Sequence, residues 1–95
     1  MRPLPDRTFA LGRLVATPGA LHAFETAQET PSTYLTRHGR GDWGDVDAED
    51  QAANDRALLE HTRLLSAYHL TDGTKVWIIT EADRSVTTVL LPDEY

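Results

Sequence analysis

Residues 64–91, "LLSAYHLTDGTKVWIITEADRSVTTVLL", contain three apolar runs that are separated by two short polar segments. The runs are rich in the β-branched and aromatic side chains that strands favour. The segment between the first two holds the Asp72-Gly73 pair, which is typical of a tight hairpin turn, and "ADRS" (82–85) separates the second from the third. The pattern predicts a three-stranded antiparallel meander.

The middle run, "KVWIITE" (75–81), carries bulky side chains on both faces of its predicted strand. Val76 and Ile78 belong to one face, and Trp77 and Ile79 belong to the other. A strand of this kind lies in the centre of a sheet with both faces covered. We expect helices on one face, and a loop, the segment around Trp43 or a partner chain on the other.

Upstream of the meander, two Thr-Pro pairs mark helix starts. Thr17-Pro18 and Thr30-Pro31 each place an N-cap residue before a proline at the first helical position. They predict a helix over residues 18–28 and a second, very short helix that stops at Gly39.

A third helix is predicted over residues 48–63. Asp47 has the character of an N-cap, and Asp50 stands at the third helical position in an arrangement similar to a capping box. We expect this helix to pack through a stripe that comprises Ala48, Ala52, Leu59 and Thr62, with Leu58 and Leu65 beside it. The stripe is thin at its N-terminal end, so we expect that end to lie on the surface.

The fold class that these elements predict is α+β. "FALGRLVAT" (9–17) alternates as a strand in which Gly12 could form a bulge, so the antiparallel sheet has about four strands, with this one at an edge. Two to three helices, above all 18–28 and 48–63, lie on one face. We expect residues 1–95 to form a single domain, with 1–8 as a flexible arm.

The net charge of −6 is concentrated in one part of the chain. Residues 42–60 contain seven acids and one base, while acids and bases balance elsewhere. A surface this acidic repels phosphate backbones, so direct nucleic-acid binding is not expected, whereas a basic protein surface would be attracted. The chain has no cysteine and no apolar stretch of membrane-spanning or signal-peptide length, so we expect a cytoplasmic protein without membrane attachment.

The stretch "RHGRGDWGDVDAEDQ" (37–51) contains five carboxylates, three glycines and a tryptophan. Asp42 and Asp45, with the acids that follow, could hold a hard cation, although their spacing does not match a calcium loop. The structural interpretation is that Asp47 caps the helix and Trp43 attaches the loop to the core. Asp42, Trp43 and Asp45 are therefore binding candidates only.

A second group of candidates lies in "TEADRS" (80–85). Glu81, Asp83 and Arg84 occupy a turn at the end of a strand, where binding residues are often found, but an ordinary solvated turn explains them equally well. No two of the histidines at 22, 38, 61 and 69 have the helical spacing of a metal pair. His38, in the last turn of the short helix, suits the helix dipole. No catalytic residue, metal ligand or cofactor is assigned.

Several stretches carry a resemblance to a known group of proteins. "ATPGAL", "GDWGD", "LLSAYHL" and "VWIITEADRSVTTVLLPDEY" resemble a family of small uncharacterised bacterial proteins found on plasmids and integrated elements, often described as plasmid-related. The similarity runs from Phe9 to Tyr95. It implies a bacterial, mobile-element setting and supplies no catalytic residues.

These observations favour a non-enzymatic accessory or protein-interaction domain with an acidic helix face, which could act on a DNA-processing or defence complex. One alternative is a small metal-dependent hydrolase or nuclease that uses Asp42, Asp45 and a histidine. Another is a domain that binds a small ligand at the 80–85 turn. We also expect a homodimer, formed through the uncovered sheet face or through Val86–Leu91 as an edge strand.

Overall fold

The computed structural model describes residues 9–95, and the predicted arm at 1–8 lies outside the described residues. Three helices and a four-stranded sheet confirm the α+β class. In chain order the elements are β1 (Arg13–Ala16), α1 (Pro18–Ala27), α2 (Pro31–Gly39), α3 (Ala48–Glu60), β2 (Leu64–His69), β3 (Lys75–Thr80), β4 (Val86–Leu90) and a 3-10 turn (Pro92–Glu94). Within residues 9–95, no helix has the length and apolar character needed to cross a bilayer.

The sheet is mixed, which corrects the expectation of a purely antiparallel one. Its strand order is β1-β4-β3-β2, and the meander of β2, β3 and β4 is antiparallel as predicted. β1 is parallel to β4, with Arg13 opposite Val86 and Ala16 opposite Val89. The reason is the long helical connection, which returns the chain so that β2 starts at the same end of the sheet as β1. Two further reversals make β4 run in that direction too.

The position of β4 also corrects the expected edge strand. Val86–Leu90 lies between β1 and β3, so the edges of the sheet are β1 and β2. The first strand is shorter than predicted, because Gly12 adopts a left-handed φ of 67° and the regular strand begins only at Arg13. A Cβ at Gly12 would collide with the backbone of Ser85, so the chain needs glycine where it approaches the β3–β4 turn.

The main core lies on the sheet face that bears Val76 and Ile78, here called the helical face. It buries side chains of α1, α2 and the strands, namely Ala20, Ala23, Phe24, Tyr34, Tyr68, Leu70, Val76, Ile78 and Val89. Thr17 is confirmed as the N-cap of α1, since its hydroxyl accepts from the Ala20 amide at 3.1 Å. Thr30 makes no such bond, and Pro31 alone marks the start of α2.

The opposite face, here called the open face, is partly covered by the C-terminal turn. Trp77 packs edge-on against Tyr95 with ring centroids 5.9 Å apart, and Arg63 lies over the Tyr95 ring. Ile79 and Leu90, which belong to this face, are buried. Trp43 lies with the helical face instead, because its cluster contains Leu64 and Ala57.

The outer edge of β2 is occupied by polar groups from the preceding segment. The Asn54 side-chain amide bonds the backbone of Leu65 in both directions, at 2.8 and 3.1 Å. Two residues further along, the Ala67 amide donates to Trp43 O and Ala67 O accepts from Asp45 N. A Cβ on Gly44 would collide with Ala67 O and the Tyr68 ring, so glycine permits this approach. We call this outer side of β2 the occupied edge.

α3 begins at the predicted residue, but the face that it turns towards the sheet is not the predicted one. The Asp47 carboxylate accepts from the Asp50 amide at 2.8 Å, which confirms the N-cap. The helix ends at Glu60, earlier than expected, because His61 takes a left-handed φ of 56°. Asn54 and Ala57 are its buried residues. Ala48 and Ala52 are exposed, as expected for the N-terminal end, but the expected packing of Leu59 is wrong, because Leu59 is 83% exposed. Asn54 takes the inward position because the strand edge offers hydrogen bonds there.

Trp43 is predicted to be a major source of stability. It is only 2% exposed, stacks near Phe9, and donates from Nε1 to Asp55 at 3.0 Å. Trp43→Ala should lower the free energy of unfolding by about 3–5 kcal/mol, as for other core aromatics. Urea unfolding measures this, with Leu59→Ala as the exposed control. An unchanged unfolding midpoint would contradict the burial of Trp43.

Candidate functional site

Asp42 is engaged within its own loop. Its carboxylate accepts from Arg37 Nε at 2.7 Å and from the Gly44 amide at 3.2 Å. The hydrogen bond from Arg37 lowers the pKa of Asp42, and the guanidinium also lies 4.7 Å from the centroid of the Tyr68 ring. Asp42 O accepts from the Tyr68 hydroxyl at 2.5 Å. These contacts fix the loop on β2 and leave Asp42 a structural role.

Asp45 pairs with a histidine at the surface. Its carboxylate lies 2.7 Å from His69 Nδ1, and both side chains are at least half exposed. This is the one predicted acid that has a histidine within hydrogen-bond reach. Within residues 9–95, however, no group of three or more histidine, aspartate or glutamate side chains could hold a metal ion. Asp45 and His69 could supply two ligands to a metal ion, or one acid and one base. Asp42 does not join them, because its carboxylate is bonded to Arg37.

The 80–85 turn connects the strands to α3. Arg84 has a left-handed φ of 61°, and its Nη1 donates to Thr62 O at 2.7 Å and to Glu81 O at 3.1 Å, while Nη2 donates to Ala57 O at 3.0 Å. A guanidinium near a helix C-terminus satisfies carbonyl groups that the helix leaves without partners. Arg84 thereby attaches the end of α3 to the sheet.

The other two candidates of this turn have local partners. Asp83 accepts from the Ser85 amide at 3.0 Å, as an aspartate in a tight turn does. Hydrogen bonding from the Ser85 hydroxyl, and then from its amide, lowers the pKa of Asp83. Glu81 lies 3.8 Å from Arg63 in a half-exposed pair, which contributes little to stability. Asp83 and Glu81 thus make local and surface contacts, while Arg84 makes the connection to the helix.

A buried chain of hydrogen bonds crosses the helical face, and the sequence did not predict it. His38 is fully buried, with Nδ1 2.5 Å from Ser66 Oγ and Nε2 2.9 Å from Thr80 Oγ1. Thr80 Oγ1 lies 2.7 Å from Thr87 Oγ1, which donates to Leu11 O at 2.7 Å. We call these groups the His38 chain.

The proton positions in the His38 chain follow from its last acceptor. Leu11 O can only accept, so the single hydroxyl proton of Thr87 points to it. Thr80 must then donate to Thr87, and His38 Nε2–H must donate to Thr80. A neutral imidazole with its proton on Nε2 accepts at Nδ1, so Ser66 donates there. Each donor in the His38 chain therefore points towards Leu11, from Ser66 through His38, Thr80 and Thr87.

Burial keeps His38 neutral. Desolvation, and then the positive charge of Arg84, lower the pKa of His38 from 6.5 to about 4. The Phe9 ring packs edge-on against the imidazole at 5.2 Å, and the Trp43 ring does so at 5.7 Å. The expected favourable interaction of His38 with the helix dipole is therefore wrong, because it requires the charged form.

Ser66 and His38 have the spacing of a nucleophile and its base, but their surroundings exclude that chemistry. Both residues are fully buried beneath the helices, as are Thr80 and Thr87, so a substrate has no access to Ser66 Oγ. Among the described residues, no buried side-chain nitrogen or oxygen lacks a hydrogen-bond partner. The His38 chain is a satisfied polar core.

The outward face of α3 is the most unusual exposed surface of the described chain. Leu59 is 83% exposed, and Ala48 and Ala52 lie on the same side of the helix. Glu49, Arg56 and Glu60 are exposed along one side of this stripe, and Asp55 lies between Ala52 and Leu59 on it. An apolar stripe with an acidic border, on a helix held in place by other contacts, is a candidate protein interface.

Comparisons with known proteins give no relative for this chain: no family model, no curated protein and no solved structure matches it. A functional assignment therefore rests on the geometry and charge of the chain's own side chains.

The neutral state of His38 predicts a specific pH dependence. The folded pKa lies below the unfolded value, so only the unfolded chain gains a proton as the pH falls from 6.5 towards 4. The free energy of unfolding should decrease by about 2 kcal/mol from pH 7.5 to pH 5 through this residue alone.

Urea titrations of wild type and His22→Asn, an exposed control, should show the same decrease. Nitrogen-15 NMR at pH 6 should find His38 protonated on Nε2 and not on Nδ1. A doubly protonated His38 at that pH would contradict the assigned chain.

The N-cap predicts the effect of Asp47→Ala. Loss of the bond to the Asp50 amide should cost about 1 kcal/mol of stability. Thermal melts with and without Mg²⁺ or Ca²⁺ should show the same midpoint for wild type. An ion-induced rise in the wild-type midpoint that disappears in Asp47→Ala would show that Asp47 binds metal instead.

Proposed function

We propose that this chain is a non-enzymatic interaction domain that presents α3 to a basic, partly apolar surface of a partner protein. The observation that carries the proposal is the exposure of Leu59 on a helix whose buried residues are only Asn54 and Ala57. An exposed leucine that follows small residues along one helix face is suited to insertion into a groove of a partner.

The contacts that hold α3 support this proposal. Asn54 bonds the β2 edge, Asp55 accepts from Trp43, and Arg84 bonds carbonyl groups at the C-terminal end. The contacts of Asn54 and Arg84 lie on the inward face and at the C-terminal end of α3, whereas Asp55 bonds Trp43 from a position next to Leu59 on the exposed stripe. The helix is thus held in position while Leu59, Ala48 and Ala52 remain exposed.

Charge defines the class of partner. Residues 42–60 carry seven acids and one base, so the surface around α3 attracts lysine- and arginine-rich surfaces and repels nucleic acid. Nucleic-acid-binding proteins carry basic surfaces of this kind. We therefore propose that the partner belongs to a bacterial DNA-processing or defence complex, in keeping with the resemblance to plasmid-related proteins, and that nucleic acid competes for the same surface.

Capture from a bacterial lysate, followed by binding measurements with the purified partner, tests the proposal. Leu59→Ser should weaken binding at least about tenfold, as truncation of a central anchor does. Leu21→Ser is the matched control, since Leu21 is 51% exposed on α1. Added duplex DNA should compete with the wild-type chain. Equal binding by the two serine variants would contradict the proposal.

The Asp45–His69 pair is the observation that favours the hydrolytic alternative. Incubation of the purified chain with single- and double-stranded nucleic acid and Mg²⁺ tests it. Cleavage that is lost in His69→Asn and retained in His22→Asn would support that alternative. Absence of cleavage in the wild type would count against it.

A further inference from the structure

The two edges of the sheet differ in how their backbone groups are used. On β2, Leu65 and Ala67 already bond Asn54 and the 43–45 segment. On β1, the Arg13 amide donates to Ser85 O at 2.9 Å and the Thr17 amide donates to Val89 O at 3.0 Å. Because alternate residues of a strand direct their backbone groups to opposite sides, those of Leu14 and Ala16 point away from β4. We call this side of β1 the free edge; no described residue lies alongside it in the sheet.

We infer that a second copy of this chain pairs with the free edge, antiparallel, about a two-fold axis through Val15. In this register Leu14 lies opposite Ala16 of the second copy, and each such pair exchanges both of its backbone hydrogen bonds. The backbone groups that point away from β4 on one copy thus meet the corresponding backbone groups of the other copy. A shift by one residue would instead direct outward groups at residues that bond β4.

The side chains of β1 suit this register. Val15, which is 41% exposed, lies opposite Val15 of the second copy and on the open face. Leu14, 54% exposed, lies beside Ala16 of the second copy on the helical face. β-branched and apolar pairs across antiparallel strands stabilise their association.

Charge complementarity also supports a second copy as the occupant. Arg13 comes opposite Thr17 of the second copy, and the Thr17 hydroxyl donates to Glu94 at 2.5 Å. Glu94 is exposed, so its carboxylate is accessible to a guanidinium approaching from the neighbouring copy. The two-fold axis repeats this contact at both ends of the paired strands. An unrelated extended peptide would form the backbone bonds but would lack this match.

The open face is less suited than the free edge to form the dimer interface. The C-terminal turn contacts β3, Tyr95 packs on Trp77, and Ile79 and Leu90 are already buried. The apolar surface that remains on this face is therefore reduced. A four-residue strand gives a small interface, so we expect association in the micromolar range or weaker.

Sedimentation equilibrium over a wide range of protein concentration tests the inference. Wild type should change from monomer to dimer as concentration rises. Val15→Asp places two like charges opposite each other and should weaken association at least about tenfold. Leu59→Ser, on α3 beside the occupied edge, is the control and should associate as wild type does.

Amide hydrogen exchange supplies a second measurement that does not depend on the variant folding well. The Leu14 and Ala16 amides should become more protected as wild-type concentration rises, while the Arg13 amide, bonded to Ser85, should not change. Unchanged exchange of Leu14 and Ala16 across a monomer–dimer transition would overturn the inference and indicate another interface. A strictly monomeric wild type, or protection of these amides at every concentration, would overturn it as well.

Discussion

The imidazole of His38 has two polar nitrogens in a place that water does not reach, and both must find partners there. Ser66 on β2 and Thr80 on β3 provide them, and Thr87 on β4 continues the chain to Leu11. An unpaired buried donor or acceptor costs about 1–3 kcal/mol. α2 therefore fits over the sheet in one position, since any displacement of the helix separates at least one nitrogen from its partner.

The same requirement limits how the strands pair. A shift of β3 by one residue would place Ile79 beneath His38 instead of Thr80, because successive side chains point to opposite faces. A corresponding shift of β4 would remove Thr87 from the reach of Thr80. An apolar core of the same shape would tolerate such shifts more readily. The polar chain thus favours one register over its neighbours as well as one helix position.

Much of the fold follows from local patterns in the sequence, and the errors have common causes. Alternating β-branched residues and the Asp72-Gly73 turn predicted the meander, and Asp47 predicted the start of α3. The direction of β1 was missed because it depends on the complete helical connection. The buried role of His38 was missed because its partners lie 28 and 42 residues away, although serine and threonine at inward positions of adjacent strands were a signal.

The orientation of α3 shows a second kind of error. Its few apolar residues suggested a buried stripe, yet Asn54 faces the sheet and Leu59 faces solvent. The side chain of Asn54 bonds a strand edge much as another strand would, and this bonding determines the inward face of the helix. Hydrophobic periodicity contains no information of this kind. The positions of the candidate acids were predicted better, because Asp42 and Asp45 do lie in a surface loop. Their hydrogen-bond partners were not predicted, since these depend on the tertiary fold.

The occupied edge of β2 has a consequence for how this sheet can grow. Strands added at an edge normally create a new edge, and repeated addition leads to fibres. Here Asn54 and the 43–45 segment already use the backbone groups of Leu65 and Ala67, on the side of the sheet opposite β1. Two copies joined at β1 would have at their far ends only the β2 edges, on which the backbone groups of Leu65 and Ala67 are already bonded. Polymerisation by strand addition would therefore stop at two copies, and the assembly would be closed by its own geometry.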